Sequence, residues 1–194
     1  MNEPLPLATI HDAVLKFLRD RDDAVLFGAQ AVNAYVDEPR MTQDVDILST
    51  RARELAEELR AHLAATFTIA ARTREVASGS GFRIYQLRQP KNRHLADIRQ
   101  VPALPATQLI SGVRVPTPDE LIAQKIISLD SRSARPKGDT DRRDLKLLLL
   151  KYPQLKVEAG AVLERLTAAQ ASAGALAQWK ALVATPIEAE TDEY

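Results

Sequence analysis

The sequence predicts an α+β fold in which a mixed β-sheet flanked by helices is followed by a C-terminal helical bundle. Three observations predict it. Near the N-terminus short apolar strands alternate with helices, the middle is filled by extended segments with turn signals between them, and from Pro118 onward the spacing is helical throughout.

The first helix covers residues 7 to 21, "LATIHDAVLKFLRDR", where Ile10, Val14, Phe17 and Leu18 fall on one stripe. "AVLF" (24 to 27) is a short apolar strand that runs without a spacer into a second helix at "GAQAVNAYV". "DVDILS" is the next strand, and "TRARELAEELRAHLAAT" is a strong helix with Thr50 as its expected N-cap. Extended segments follow near 66 to 76, 82 to 89 and 94 to 101, the first two joined by "SGSG", a hairpin-type turn. A last hairpin, "QLISGVRVP", turns at Gly112. Helices are then expected at 118 to 131, about 140 to 150 and about 158 to 183, with "SARPKGDT" (133 to 140) as a loop. The reading divides the chain into an α/β part at 1 to 116 and a helical part at 117 to 194 that closes one side of a cleft.

Composition narrows the chemistry. A chain of 194 residues with 45% hydrophobic and 27% charged residues is an ordinary globular protein that can bury one good core. It has no cysteine, which excludes disulfides, thiolate metal sites and cysteine nucleophiles. Its three histidines (His11, His62, His94) are scattered, and none has a ligand-spaced partner, which argues against zinc. No apolar run is long enough to span a membrane, and a cytoplasmic location is expected. The net charge is zero but unevenly spread. Residues 72 to 99 hold seven bases against two acids, a local +5, and residues 132 to 151 hold seven against three, a local +4. Such patches in a neutral protein point to a locally bound polyanion.

The most informative stretch is "FGAQAVNAYVDEPRMTQDVDIL", from Phe27 to Leu48. On a strand, residues two apart share a face, so Val45 and Ile47 face the core while Asp44 and Asp46 both face the other way. Two carboxylates held this close repel unless a cation lies between them, and a divalent metal is the natural candidate. "HLADIRQ" places Asp97 on a later strand that could lie beside them. Three oxygen ligands suit Mg²⁺, which keeps several waters and is commonly shared with substrate phosphates. The Phe27-Gly28 turn into a helix leaves free backbone N–H groups at Ala29 and Gln30, a place for phosphate.

Those residues carry a resemblance. The stretch resembles the start of the minimal nucleotidyltransferase superfamily, whose motif is h-G-[GS]-x-A at a strand-helix turn followed by h-Asp-h-Asp-h on the next strand. More narrowly it resembles the AbiEii/MenT-type nucleotidyltransferases of bacterial toxin-antitoxin and phage-defence systems, with Arg40, Thr42, Asp44 and Asp46 in the places of the "pRxTxDiDil" form. The likeness continues in "PTPDELIAQKIISLDSRSARPKGDTDRRDLKLLL", where Lys125, Arg132, Lys137, Asp141 and Asp144 fit a looser second block. The second glycine or serine of the first motif is Ala29 here, so no serine hydroxyl is available to a triphosphate.

The resemblance implies a nucleotidyltransferase fold and an activity in which a nucleoside monophosphate passes from an NTP to an acceptor hydroxyl with release of pyrophosphate. It implies two Mg²⁺ ions, held by Asp44, Asp46 and Asp97, with Asp97 nearer the acceptor. Gly28, Ala29 and Gln30 would present N–H groups to the phosphates, Arg40 and Thr42 would belong to the nucleotide site, and Lys125 would offer a point charge to the triphosphate. Arg99 is a further candidate for phosphate or acceptor contacts. The expected partners are the NTP, an acceptor on an RNA 3′ end such as a tRNA or on a protein, and a cognate antitoxin, with no membrane. Two other readings stand beside this one: transfer to a small molecule such as an antibiotic, and a nucleotidyltransferase-fold binding module that no longer catalyses. Asp141 reads as a helix-capping acid, and Trp179, Phe17, Tyr35 and Phe67 read as core.

Overall fold

The computed structural model describes residues 5–76 and 79–189. Ala77 and Ser78, at the expected "SGSG" turn, and the last residues of the acidic C-terminus lie outside the described residues. The chain divides into two compact units, one running up to Ala31 and from Arg40 to Pro116, the other taking Val32–Pro39 and everything from Thr117 on.

The first unit is built on a five-stranded sheet. Its strands are β1 (Ala24–Phe27), β2 (Val45–Ser49), β3 (Ala71–Val76), β4 (Gly81–Gln86) and β5 (Arg93–Gln100), in the spatial order β1-β2-β5-β4-β3. β2 and β5 are parallel and the other pairs antiparallel, so the sheet is mixed. Helix α1 is Leu7–Leu18, α2 is Gly28–Asn33 and α3 is Ala52–Phe67. A separate hairpin, β6 (Thr107–Ile110) with β7 (Val113–Pro116), lies against β1.

The alternation of apolar residues decides which face of the sheet is covered. Val45, Ile47, Ile84, Ala96 and Ile98 are buried, and the register places them on one face: Val45 pairs with Ala96, Ile47 with Ile98, and Ile84 with Ala96. α3 packs across β2, β5, β4 and β3 and sets Leu55, Leu59 and Leu63, one turn apart, into the core. The opposite face carries the polar partners of the same strands. Thr50 is not the cap of α3: the helix begins after Arg51, whose N–H donates to Ser49 Oγ at 3.1 Å, and the Ala52 N–H donates to Gln100 Oε1 at 2.9 Å. Side chains from the adjoining strands satisfy these donors, so a local cap is not required.

The second unit contains α4 (Pro118–Arg132), α5 (Pro136–Lys151), α6 (Ala161–Ala168) and α7 (Ala173–Ala184), with α4 packed on the other three. Its core holds Ile122, Ile126, Leu145, Leu148, Leu166 and Trp179, all buried. Two boundaries differ from expectation. α5 starts at Pro136, inside the stretch read as a loop, because proline at the first helical position has the right φ and gives up an N–H that would be unpaired anyway. The expected helix at 158 to 183 is two helices, broken where Gln170 takes φ 52°. No helix among the described residues is long and apolar enough to cross a membrane.

Candidate active site

The site is built from the polar face of the sheet. Asp46 on β2 and Asp97 on β5 are direct partners in the parallel register, and Phe27 at the end of β1 is opposite Asp46. Partnered residues point to the same side, so Asp46 and Asp97 share a face, and together with Arg83, Arg99 and Phe27 they line a cleft of about 290 Å³. Asp44 immediately precedes β2, and the Thr42 hydroxyl donates to its carbonyl at 3.1 Å, tying down the segment that leads into the strand.

Gly28 shapes the other wall. β1 ends at Phe27 and α2 begins at the next residue, a turn that requires φ 68° at Gly28. A Cβ there would collide with Asp46 Oδ2, so the position needs glycine both for its backbone angle and for the space the carboxylate occupies. Ala29 is buried, and the Gln30 side chain is hydrogen-bonded to His11 Nδ1 at 3.0 Å.

His94 is the residue the sequence reading missed. Its Nδ1 lies 3.0 Å from Asp44 Oδ2 and its Nε2 lies 3.5 Å from Asp97 Oδ1, and one ligand atom from each of Asp44, His94 and Asp97 falls within 4.8 Å of the others. His94 and Asp97 are three residues apart, so a regular strand would send them to opposite faces. A register shift corrects the parity: Ile84 pairs with Ala96 and Tyr85 with His94, leaving Leu95 as an extra residue on β5. The bulge turns His94 onto the carboxylate face, where its ring also lies 5.1 Å from that of Tyr85.

The electrostatics follow from this crowding. Burial alone would lower the His94 pKa, but the hydrogen bonds and charges of Asp44 and Asp97 outweigh it and raise it to about 10, so the ring is an imidazolium between two carboxylates. Burial would raise the Asp97 carboxyl, but His94 and Arg83, whose Nε donates to Asp97 Oδ1 at 2.8 Å, hold it below its usual range. Arg99 stacks over Phe27 at 5.1 Å.

Gly28, Ala29, Gln30, Thr42, Asp44, Asp46 and Asp97 all belong to the first unit, as does Arg40. Lys125 belongs to the second unit and has a different environment there. It is 5% exposed, and its Nζ lies 3.1 Å from Asp141 Oδ1 and 2.6 Å from Asp144 Oδ2, with Arg132 closing a two-point bridge to Asp141. Asp141 is therefore not a capping acid; it is a buried partner of two cations, well inside α5.

The architecture agrees with solved nucleotidyltransferases. The chain is similar to the Megavirus polyadenylate synthase (TM-score 0.60, 16% identity, 76% of this chain and 32% of that one). It spans about a third of the length of that protein. It is also similar to an antigenic nucleotidyltransferase-like protein from Paracoccidioides brasiliensis (TM-score 0.51, 19% identity, 94% of both chains). A third likeness is to JHP933 from Helicobacter pylori (TM-score 0.50, 13% identity, 91% of this chain and 88% of that one). No family model matches the chain, and no curated protein matches it in sequence. At these identities the likeness is one of fold: the chain has the nucleotidyltransferase fold, with a mixed sheet flanked by helices.

Proposed function

We propose that the protein is a metal-dependent nucleotidyltransferase that moves a nucleoside monophosphate from an NTP to an acceptor hydroxyl. The observation that carries this reading is the pairing of Asp46 with Asp97 across β2 and β5, with Asp46 set against the Gly28 turn. The donor set fits Mg²⁺: oxygen ligands from Asp44, Asp46 and Asp97 converge on one face, and the ligand atoms of Asp44 and Asp97 already lie at metal-sharing separations. When bound there, two Mg²⁺ ions would neutralise charge on the attacking and leaving oxygens.

The remaining work falls to the chain. The α2 start at Gly28, Ala29 and Gln30 would face the phosphates, Arg40 would belong to the nucleotide site, and Thr42 ties down the segment leading to Asp44. The acceptor oxygen bonds to the α-phosphorus as the bond from that phosphorus to the bridging oxygen breaks. Pyrophosphate leaves with the electron pair, and the hydroxyl proton passes to Asp97 or to water. Asp97 is held ionised by His94 and Arg83, which suits a ligand better than a strong base. Burial between two carboxylates supports a helix-packing role for Lys125. A role at the triphosphate would require it to leave two carboxylates. The residues Arg40, Thr42, Asp44 and Asp46 support the finer reading that this is the toxin of a bacterial toxin-antitoxin or phage-defence module, with an antitoxin partner and an acceptor on an RNA 3′ end or a protein.

A second reading is favoured by two specific observations. Ala29 has no hydroxyl, and His94 already supplies a cation between Asp44 and Asp97. Both suit a nucleotide-binding module that does not catalyse. Incubation with each radiolabelled NTP and Mg²⁺ against total tRNA and cell lysate decides. Labelled RNA or labelled protein supports transfer and names the acceptor, whereas nucleotide binding without label supports the module.

A further inference from the structure

The polar face of the sheet changes sign from one side to the other. From Asp44 and Asp46 beside β1 it passes to Asp97 and His94 on β5 and then to Arg83 and Tyr85 on β4. On the edge strand β3 it ends in Arg72 and Arg74, because Arg83 pairs with Asp97 and with Arg74, and Tyr85 pairs with His94 and with Arg72. Arg88 and Lys91, from the connection between β4 and β5, join Arg72 and Arg74 around a cavity of about 590 Å³ that has no acid in its lining. Neighbouring arginines are neutralised locally: Arg83 by Asp97, Arg53 by Glu75 and Arg60 by Glu57. Arg72, Arg74, Arg88 and Lys91 have no carboxylate partner among the described residues. Four like charges on one wall repel, and an anion among them would relieve that repulsion.

The position and lining of the cavity restrict that anion. With strands about 4.8 Å apart, β3 lies on the order of 14 Å across the sheet from β2. A single triphosphate at the Gly28 turn does not reach that far, but a chain of phosphates does. Tyr85, Leu87 and Pro90 add apolar and aromatic surface beside the cations, the combination that single-stranded nucleic acids use for base stacking next to backbone charge.

We propose that Arg72, Arg74, Arg88 and Lys91 bind the phosphodiester backbone of a single-stranded nucleic acid whose end lies over Asp97. The identity of that end as the acceptor rests on the transferase reading; the binding ledge does not. The test is fluorescence anisotropy with a single-stranded oligoribonucleotide and the matching oligodeoxyribonucleotide, without metal or NTP. Four backbone contacts predict an affinity that falls about 50-fold between about 50 and about 200 mM salt. The triple variant Arg72→Glu, Arg88→Glu, Lys91→Glu should lose tenfold or more in affinity and flatten the salt slope. The glutamine versions, which avoid like-sign acids on β3, should lose less but in the same direction. Binding of RNA, DNA or both supports the ledge and identifies the sugar it accepts. No binding at low salt, affinity unchanged by either triple variant, or displacement by an acidic peptide of equal charge at equal concentration would overturn it, the last in favour of a protein partner. This assay contains no NTP, so it can fail while label transfer persists, and it can succeed where label transfer fails.

Discussion

Asp46 and Asp97 are direct partners across the parallel strand pair β2 and β5, although fifty residues of chain lie between them. Register, not sequence proximity, brings the two carboxylates to one face. The first prediction tests what that pairing does. Asp46→Asn and Asp97→Asn keep side-chain volume but remove a charged ligand, so each should lower NMP transfer by roughly three orders of magnitude or more. Both variants should remain folded, with Asp97→Asn melting below wild type because it loses its charge-assisted bonds to His94 and Arg83. Transfer assays paired with thermal melts check this. Wild-type transfer in Asp46→Asn would remove it from the site.

Gly28→Ala should act through Asp46. The left-handed backbone angle costs a residue with a Cβ about 1–2 kcal/mol, and the added carbon must displace the Asp46 carboxylate. Transfer should therefore fall far more than stability. Gly112→Ala is the comparison: φ there is 81°, but the nearest atom to a new Cβ is Asp20 Oδ1 at 3.5 Å, an ordinary contact. It should lose similar stability in a denaturant titration and leave transfer unchanged.

The strands and the Asp44/Asp46 face were legible because alternation in "DVDIL" is a local signal, and burial follows it closely: Val45 and Ile47 are buried, Asp44 and Asp46 are not. His94 was not legible. Its place on the carboxylate face depends on the Leu95 bulge, which exists only once β5 pairs with β4, and a period-2 reading puts His94 on the wrong side. The surroundings of Lys125 were hidden for a different reason. A lysine seven residues from an arginine reads as a solvated stripe or an anion contact, and only the packing of α4 on α5 shows that Asp141 and Asp144 enclose it. The break at Gln170 has neither glycine nor proline to announce it.

His94→Ala should expose the two carboxylates it now bridges. Losing charge-assisted hydrogen bonds at half-buried groups costs about 1–3 kcal/mol, so the metal-free variant should melt at lower temperature than wild type. Asp44 and Asp97 then need another cation. Added Mg²⁺ should raise the melting temperature more in His94→Ala than in wild type. If the variant instead responds less, His94 is itself a metal ligand.

The last prediction concerns the buried charges of the helical unit. Lys125, Asp141 and Asp144 are 5%, 1% and 0% exposed, and removing one partner from such a cluster typically costs about 3–5 kcal/mol. Lys125→Met keeps the side chain's length and should lower stability by about that amount. The pH dependence has a definite sign. Burial would raise the Asp141 carboxyl, but Arg132 and Lys125 outweigh burial and hold it below its ordinary value. A carboxyl with a depressed folded pKa contributes its stability above its unfolded pKa, about 3.9, and loses it as pH falls through the lower folded value. Without Lys125 the depression shrinks, so the acid unfolding midpoint should move to higher pH in Lys125→Met, followed by circular dichroism. Arg132→Gln should shift it in the same direction, because Arg132 holds the same carboxylate through two hydrogen bonds. A Lys125→Met protein with unchanged acid stability and weakened NTP binding would instead give Lys125 the triphosphate role that its position in the motif implies.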